Sequence, residues 1–177
     1  MERGRRGGSV LERLERELML VARCHVLTPR DRKASADEPC AAPTPDRLDR
    51  SAYLLLSRLD AEGAMSIGQL ADAFQLDVST VNRQTGTLLR GGLVERIPDP
   101  DGGLARKLRV TALGTERLTA ERDCRRTSLA RLLEDWTPED LARFGEVLTR
   151  FNREVEAHDG RPWPREETTE SAAEGTR

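Results

Sequence analysis

The chain has 177 residues, a formal net charge of −2, 34% charged residues and 3% aromatic residues. That length suffices for one domain with a proper core and argues against two complete ones. Scarce aromatics and abundant charge point to a mainly α, Leu- and Ala-dominated fold rather than a β-sandwich. No stretch approaches the roughly 20 apolar residues that span a bilayer, and the basic start MERGRRGG lacks the apolar core of a signal peptide, so the chain is expected to be soluble and cytoplasmic. Cys24, Cys40 and Cys124 are an odd number at wide, irregular spacing, which suits reduced thiols rather than a disulfide framework.

Residues 1–9 are expected to form a disordered arm. Leu11, Leu14, Leu18 and Val21 recur at spacings of three, four and three, which predicts a helix over about 10–27 with a narrow seam of the kind helices use to pack on one another. The stretch 28–45, TPRDRKASADEPCAAPTP, holds four prolines and reads as a loop longer than the about 2–8 residues usual between helices. Leu48, Tyr53, Leu54, Leu55, Leu56 and Leu59 then mark a buried helix that ends at Glu62-Gly63.

Ser66 and Gln69 have the spacing of a capping box, in which each side chain satisfies the other residue's free backbone N–H. They start a short helix whose inner face is Ile67, Leu70, Ala71 and Phe74. After a turn at Gln75-Leu76, Asp77 is placed to cap a second helix, and the pair is a helix-turn-helix. Past Gly91-Gly92 the pattern changes period: Leu93 to Ile97 reads as a strand, PDPDGG as a turn, and Leu104 to Thr111 as the returning strand. A two-stranded hairpin directly behind a helix-turn-helix makes a winged helix. A long charged helix follows over about 114–135. Thr137 caps the last one, with Pro138 in its first turn and a second seam of Leu141, Phe144, Leu148, Phe151 and Val155. From residue 157 on the chain is polar and is expected to form a disordered tail.

The helix beginning near Val78 carries the functional signal. Val81, Thr85, Leu88 and Leu89 fall on one side; Ser79, Thr80, Asn82, Arg83, Gln84 and Thr87 form a polar row on the rest. These are the groups that bond base edges and phosphates: Arg forks onto guanine, Gln onto adenine, and Ser or Thr serve either base or backbone. Between Ser79 and Arg109, Arg83, Arg90, Arg96, Arg106, Lys107 and Arg109 face only Glu95, Asp99 and Asp101, so the stretch is locally basic although the whole chain is not. Gly86 interrupts the helix as a site of close approach or as a tolerated small residue.

SIGQLADAFQLDVSTVNRQTGTLLRGGLVER, the wing IPDPDGG and the closing VTALG together resemble the MarR family of winged-helix transcription regulators, whose hairpin closes with Leu-Thr-x-x-Gly. The likeness runs from Leu48 to Gly114 in sequence and over 10–156 in helix order, with a DNA-binding lobe at about 46–113 between dimerisation helices at about 10–27 and 114–156. It implies a homodimer held by the two seams. It also implies recognition helices in successive major grooves of a palindromic operator in double-stranded DNA, wings reaching the minor groove, and release by a small-molecule effector or thiol oxidation. Family wings commonly carry Asp-x-Arg at the tip; here Asp101 is followed by Gly102 and Gly103, which leaves Arg106 or Lys107 for the minor-groove contact.

Rival readings are weaker on the same residues. Cys24 is the candidate redox thiol, but Arg23 and His25 adjoin it in sequence without facing it on a helix, so an ordinary thiol is the plainer reading. His25 and His158 are the only histidines and no Cys/His cluster has ligand spacing, so no metal or other cofactor is expected. No phosphate loop, nucleophile elbow or readable His–carboxylate pair points to an enzyme. A winged helix used for protein contacts, of anti-repressor type, is the serious alternative.

Overall fold

The computed structural model describes residues 3–22 and 47–165, with side chains from residue 9 onward. Among the described residues, six helices and three short strands follow in the order α1 (Arg3–Ala22), α2 (Arg50–Glu62), β1 (Met65–Ser66), α3 (Ile67–Phe74), α4 (Val78–Arg90), β2 (Val94–Ile97), β3 (Lys107–Val110), α5 (Ala112–Leu132) and α6 (Pro138–Asp159). The expected loop at 28–45, with Cys24 and Cys40, lies outside the described residues, as does the tail from 166.

Helix α2 starts where Asp49 Oδ1 accepts the Ala52 N–H at 2.8 Å, and it stops at Gly63, whose φ of 84° no side chain adopts easily. Its Leu55, Leu56 and Leu59 meet Leu70 and Ala71 of α3, Val81 and Leu88 of α4, Val94 and Leu108 of the sheet, and Leu118 of α5 in one buried cluster. Each of these leucines contributes about 1.5–3 kcal/mol by leaving water. The core therefore sits under the helix-turn-helix and holds it against α2.

The expected two-stranded hairpin forms from β2 and β3, and a third strand joins it. Met65 and Ser66 pair with Leu108 and Lys107, so the sheet has three antiparallel strands in the order β1-β3-β2. Strand β2 pairs Val94 with Val110 and Ile97 with Lys107, and the Glu95–Arg109 register pair carries an ion pair of 2.8 Å. The returning strand begins at Lys107 rather than Leu104, whose side chain stands fully exposed.

Helix α5 begins where Thr111 accepts the Gly114 N–H at 3.0 Å, and it packs on α2. There Arg122 meets Asp60 at 2.9 Å, and the Arg125 guanidinium lies 3.7 Å from the centre of the Tyr53 ring. The buried Glu121 pairs with Arg125 at 3.0 Å. Cys124 is disulfide-bonded, so the reading of all three cysteines as reduced thiols does not hold for it.

Both ends of the chain correct the sequence reading. The arm expected over 1–9 is helical from Arg3, since extending an existing helix adds one hydrogen bond for each residue ordered. At the other end α6 runs to Asp159, Gly160 turns the chain at φ 67°, and residues 161–165 fold back on the lobe instead of forming tail.

Candidate nucleic-acid interface

The capping box is formed as the spacing requires: Ser66 Oγ accepts the Gln69 N–H at 3.1 Å, and Gln69 Oε1 accepts the Ser66 N–H at 2.8 Å. Helix α3 ends in a three-residue turn. Gln75 takes a left-handed φ of 53°, and the Leu76 N–H returns to the Ala71 carbonyl at 3.0 Å. Asp77 stands at the N-cap of α4, but its carboxylate accepts no hydrogen bond from the helix; only its backbone oxygen receives Thr80 and Val81.

On α4, Val81, Thr85 and Leu88 are buried, and the Thr85 hydroxyl is satisfied inside the helix by donating to the Val81 carbonyl at 2.8 Å. Ser79, Asn82, Arg83 and Thr87 are exposed, while Thr80 and Gln84 are half-buried. Thr87 Oγ accepts from Arg90 at 3.0 Å. Arg83 has no carboxylate or hydrogen-bond partner among the described residues. Gly86 meets nothing that demands glycine: an added Cβ would touch only the end of Arg90, at 3.5 Å.

The wing separates the two cations assigned to it. Arg106 is exposed. Lys107 is buried, and its ammonium sits 2.7 Å from Asp99 and 2.8 Å from Asp101, inside the wing rather than on it. The Lys107 hydrogen bond holds the Asp99 carboxyl below the usual carboxylate range, and the hydrogen bond with Asp101 raises the Lys107 ammonium. Gly102 has a φ of 80°, and a Cβ on Gly103 would lie 2.2 Å from Asp99 Oδ2. The two glycines at the tip therefore let the loop wrap the ion pair.

Pairing within the wing leaves part of this segment's charge unneutralised. Glu95, Asp99 and Asp101 are all engaged by Arg109 and Lys107. Arg83, Arg90, Arg96 and Arg106 are left as four guanidiniums that none of these carboxylates neutralises.

Leu11, Leu14, Leu18 and Val21 on α1, and Leu141, Phe144, Leu148, Phe151 and Val155 on α6, are all exposed in the single chain, from 37% at Phe151 to 65% at Leu11. Val147 adds to the α6 seam, and Trp136 stacks edge-on against Phe144 at 5.5 Å; neither was part of the expected stripe. Cys24 lies outside the described residues, and no group of His, Cys, Asp and Glu among the described residues could hold a metal.

A helix-turn-helix with a three-stranded wing, a buried inner face on its second helix and a polar, cationic outer one define a winged-helix DNA-binding protein. The sequence model of the MarR family matches residues 48–102. The uncharacterized HTH-type transcriptional regulator YxaD of Bacillus subtilis (strain 168) is 37% identical over 106 residues, which cover 60% of this chain and 74% of that one. The crystal structure of MarR is similar with a TM-score of 0.58 at 25% identity, covering 64% of this chain and 77% of that one. A MarR family protein from Bacillus stearothermophilus shares the fold with a TM-score of 0.62 at 21% identity, over 85% of this chain and 96% of the other. The chain belongs to the MarR family of helix-turn-helix transcriptional regulators.

Proposed function

We propose that this regulator is a homodimeric repressor that reads a palindromic operator with α4 and is released by a small molecule or an oxidant. The observation that carries the reading is the outer face of α4: Ser79, Asn82 and Arg83 point outward beside a core that fixes the helix rigidly. Arg83 and Gln84 would serve the base edges, Ser79, Thr80, Asn82 and Thr87 base or phosphate, and Arg106 the minor groove. Lys107 serves instead to hold the wing's shape.

The uncovered seams of α1 and α6 support the dimer, because a single chain leaves nine large apolar side chains in water that a second copy would cover. Twofold pairing would place the two α4 helices roughly 34 Å apart, one turn of DNA. A cleft of about 390 Å³ between α2 and the helix-turn-helix, lined by Leu54, Phe74, Leu76 and Gln84, has room for a small effector.

Selection of bound fragments from random duplexes tests this directly. The expected product is a twofold-symmetric site whose affinity falls steeply with salt as phosphates shed counterions. Binding that shows no preference among duplexes, even in dilute buffer, would leave the protein-contact alternative standing.

A further inference from the structure

The polar segment after α6 is attached to the DNA-binding lobe by a cluster of specific contacts. Trp163 meets Phe74, the last residue of α3, edge-on with ring centres 5.9 Å apart. The Arg58 guanidinium of α2 lies 5.1 Å from the centre of the same ring. Arg58 also donates to the Pro162 carbonyl at 3.2 Å and pairs with Glu62. Arg161 reaches Asp72 of α3 at 2.9 Å. Arg165 turns back to Glu156 on α6, so the segment is tied at both of its ends. Arg58 is only 7% exposed, and a guanidinium buried to that degree needs its partners.

The local sequence is suited to this. Gly160 reverses the chain with a left-handed turn, and the Arg161 N–H closes the helix end on the Glu156 carbonyl at 3.1 Å. Pro162 and Pro164 flank the indole and restrict the backbone before anything docks, so little further freedom is lost when Trp163 seats.

We propose that Trp163 is a positioning residue that fixes the angle between the α6 dimerisation helix and the reading lobe. Among the described residues, the hydrogen bonds, ion pairs and ring contacts joining 138–165 to the lobe all fall within 161–163. Among the described residues, the lobe's other attachment is α5, which leaves the wing at Thr111 and packs on α2. One attachment leaves a body free to swing. A second one, at the opposite end of α3, sets its orientation. In a twofold dimer that orientation sets the spacing and tilt of the two α4 helices, so Trp163 would govern which half-site separation the protein accepts without touching DNA. This rests on the DNA-reading homodimer proposed above.

The test starts with Trp136→Phe protein, in which Trp163 is the sole tryptophan. Its emission is expected to resist acrylamide; quenching as free as that of an unstructured peptide overturns the proposal without any DNA. Trp163→Ala, Trp163→Phe and Arg161→Ala are then compared with the unaltered chain on the selected operator and on duplexes whose half-sites are moved by one base pair. For Trp163→Ala, affinity at the native spacing falls about tenfold, the scale on which positions without ligand contact modulate binding, and the penalty for wrong spacing shrinks. Trp163→Phe keeps both, because it restores the ring against Phe74. A Trp163→Ala protein with unaltered affinity and unaltered spacing preference overturns the proposal. Should the unaltered chain itself prefer no duplex, the DNA-reading function fails first and Trp163 has nothing to position.

Discussion

The Thr111 hydroxyl donates to the Gly92 carbonyl across 2.7 Å while accepting the Gly114 N–H at 3.0 Å, so one side chain joins the end of α4, the foot of the wing and the start of α5. The physical content of the Thr-x-x-Gly signature is visible here. A Cβ on Gly114 would stand 2.1 Å from the Leu93 carbonyl oxygen and 2.8 Å from Val110. Backbone cannot yield as a flexible side chain can. Gly114→Ala is therefore expected to cost about 3 kcal/mol by overpacking, and Thr111→Val about 2 kcal/mol by removing a cap and a second hydrogen bond. Thermal or denaturant unfolding of both variants checks this. A Gly114→Ala protein as stable as the parent would contradict the close approach.

Gly86 gives the opposite expectation. Its surroundings leave room for a methyl group, with only the Arg90 guanidinium in ordinary contact at 3.5 Å. Gly86→Ala should raise stability by about 0.5–1 kcal/mol through helix propensity, seen as a higher unfolding midpoint. Loss of operator affinity in the same, more stable protein would show that the DNA backbone comes close at this point of α4.

In the proposed complex, base reading and phosphate attraction are expected to separate by residue. Arg83→Ala is expected to lose about 1–3 kcal/mol of binding and to relax sequence choice at one position of each half-site. Arg106→Ala should weaken all duplexes alike and lower the salt slope by about one. Titrations at several salt concentrations, on the selected site and on single-base variants, distinguish the two patterns. Equal behaviour of the two variants would refute the division of labour.

The wing should loosen in acid. Asp99 ionises below the ordinary carboxylate range because Lys107 donates to it, so the contact is present in full above that range and is lost as pH falls through the lowered value. In Lys107→Met the Asp99 carboxyl should titrate closer to its ordinary range, with Gly102 and Gly103 amides gaining mobility at neutral pH. Carboxyl and amide NMR titrations read both. An Asp99 titration that ignores Lys107→Met would dissolve the assignment.

The seams make a prediction about assembly. Phe151→Asp or Leu14→Asp would bury an unpaired charge at a twofold contact, and should convert a dimer to a monomer in sedimentation. Asp at the neighbouring Asn152 should be far milder, because Asn152 lies off the stripe. A parent chain that sediments as a monomer at every concentration excludes the shared core.

What the sequence disclosed divides along a physical line. The Ser66–Gln69 box, the Thr137 cap and the inner face of α4 were all legible, because capping and helical periodicity join residues three or four apart. Lys107 was not, since its burial depends on the wing loop bringing Asp99 and Asp101 to it. Strand β1 was hidden because two residues are too short to alternate. Trp163 looks like tail in the sequence because its surroundings are polar and its partners, Arg58 and Phe74, lie about a hundred residues away. A tryptophan between two prolines was the one local hint, in a chain with only two tryptophans.

The turn between α3 and α4 has only three residues, and its bend is taken by Gln75 in a left-handed conformation with both neighbouring helices pinned to one core. Such a linkage offers no joint at which the reading helix can swivel by itself. In the proposed homodimer, a signal that releases DNA would accordingly shift the whole reading head. The bound and released forms should then superpose chain by chain within the lobe and differ in how the two heads are set apart.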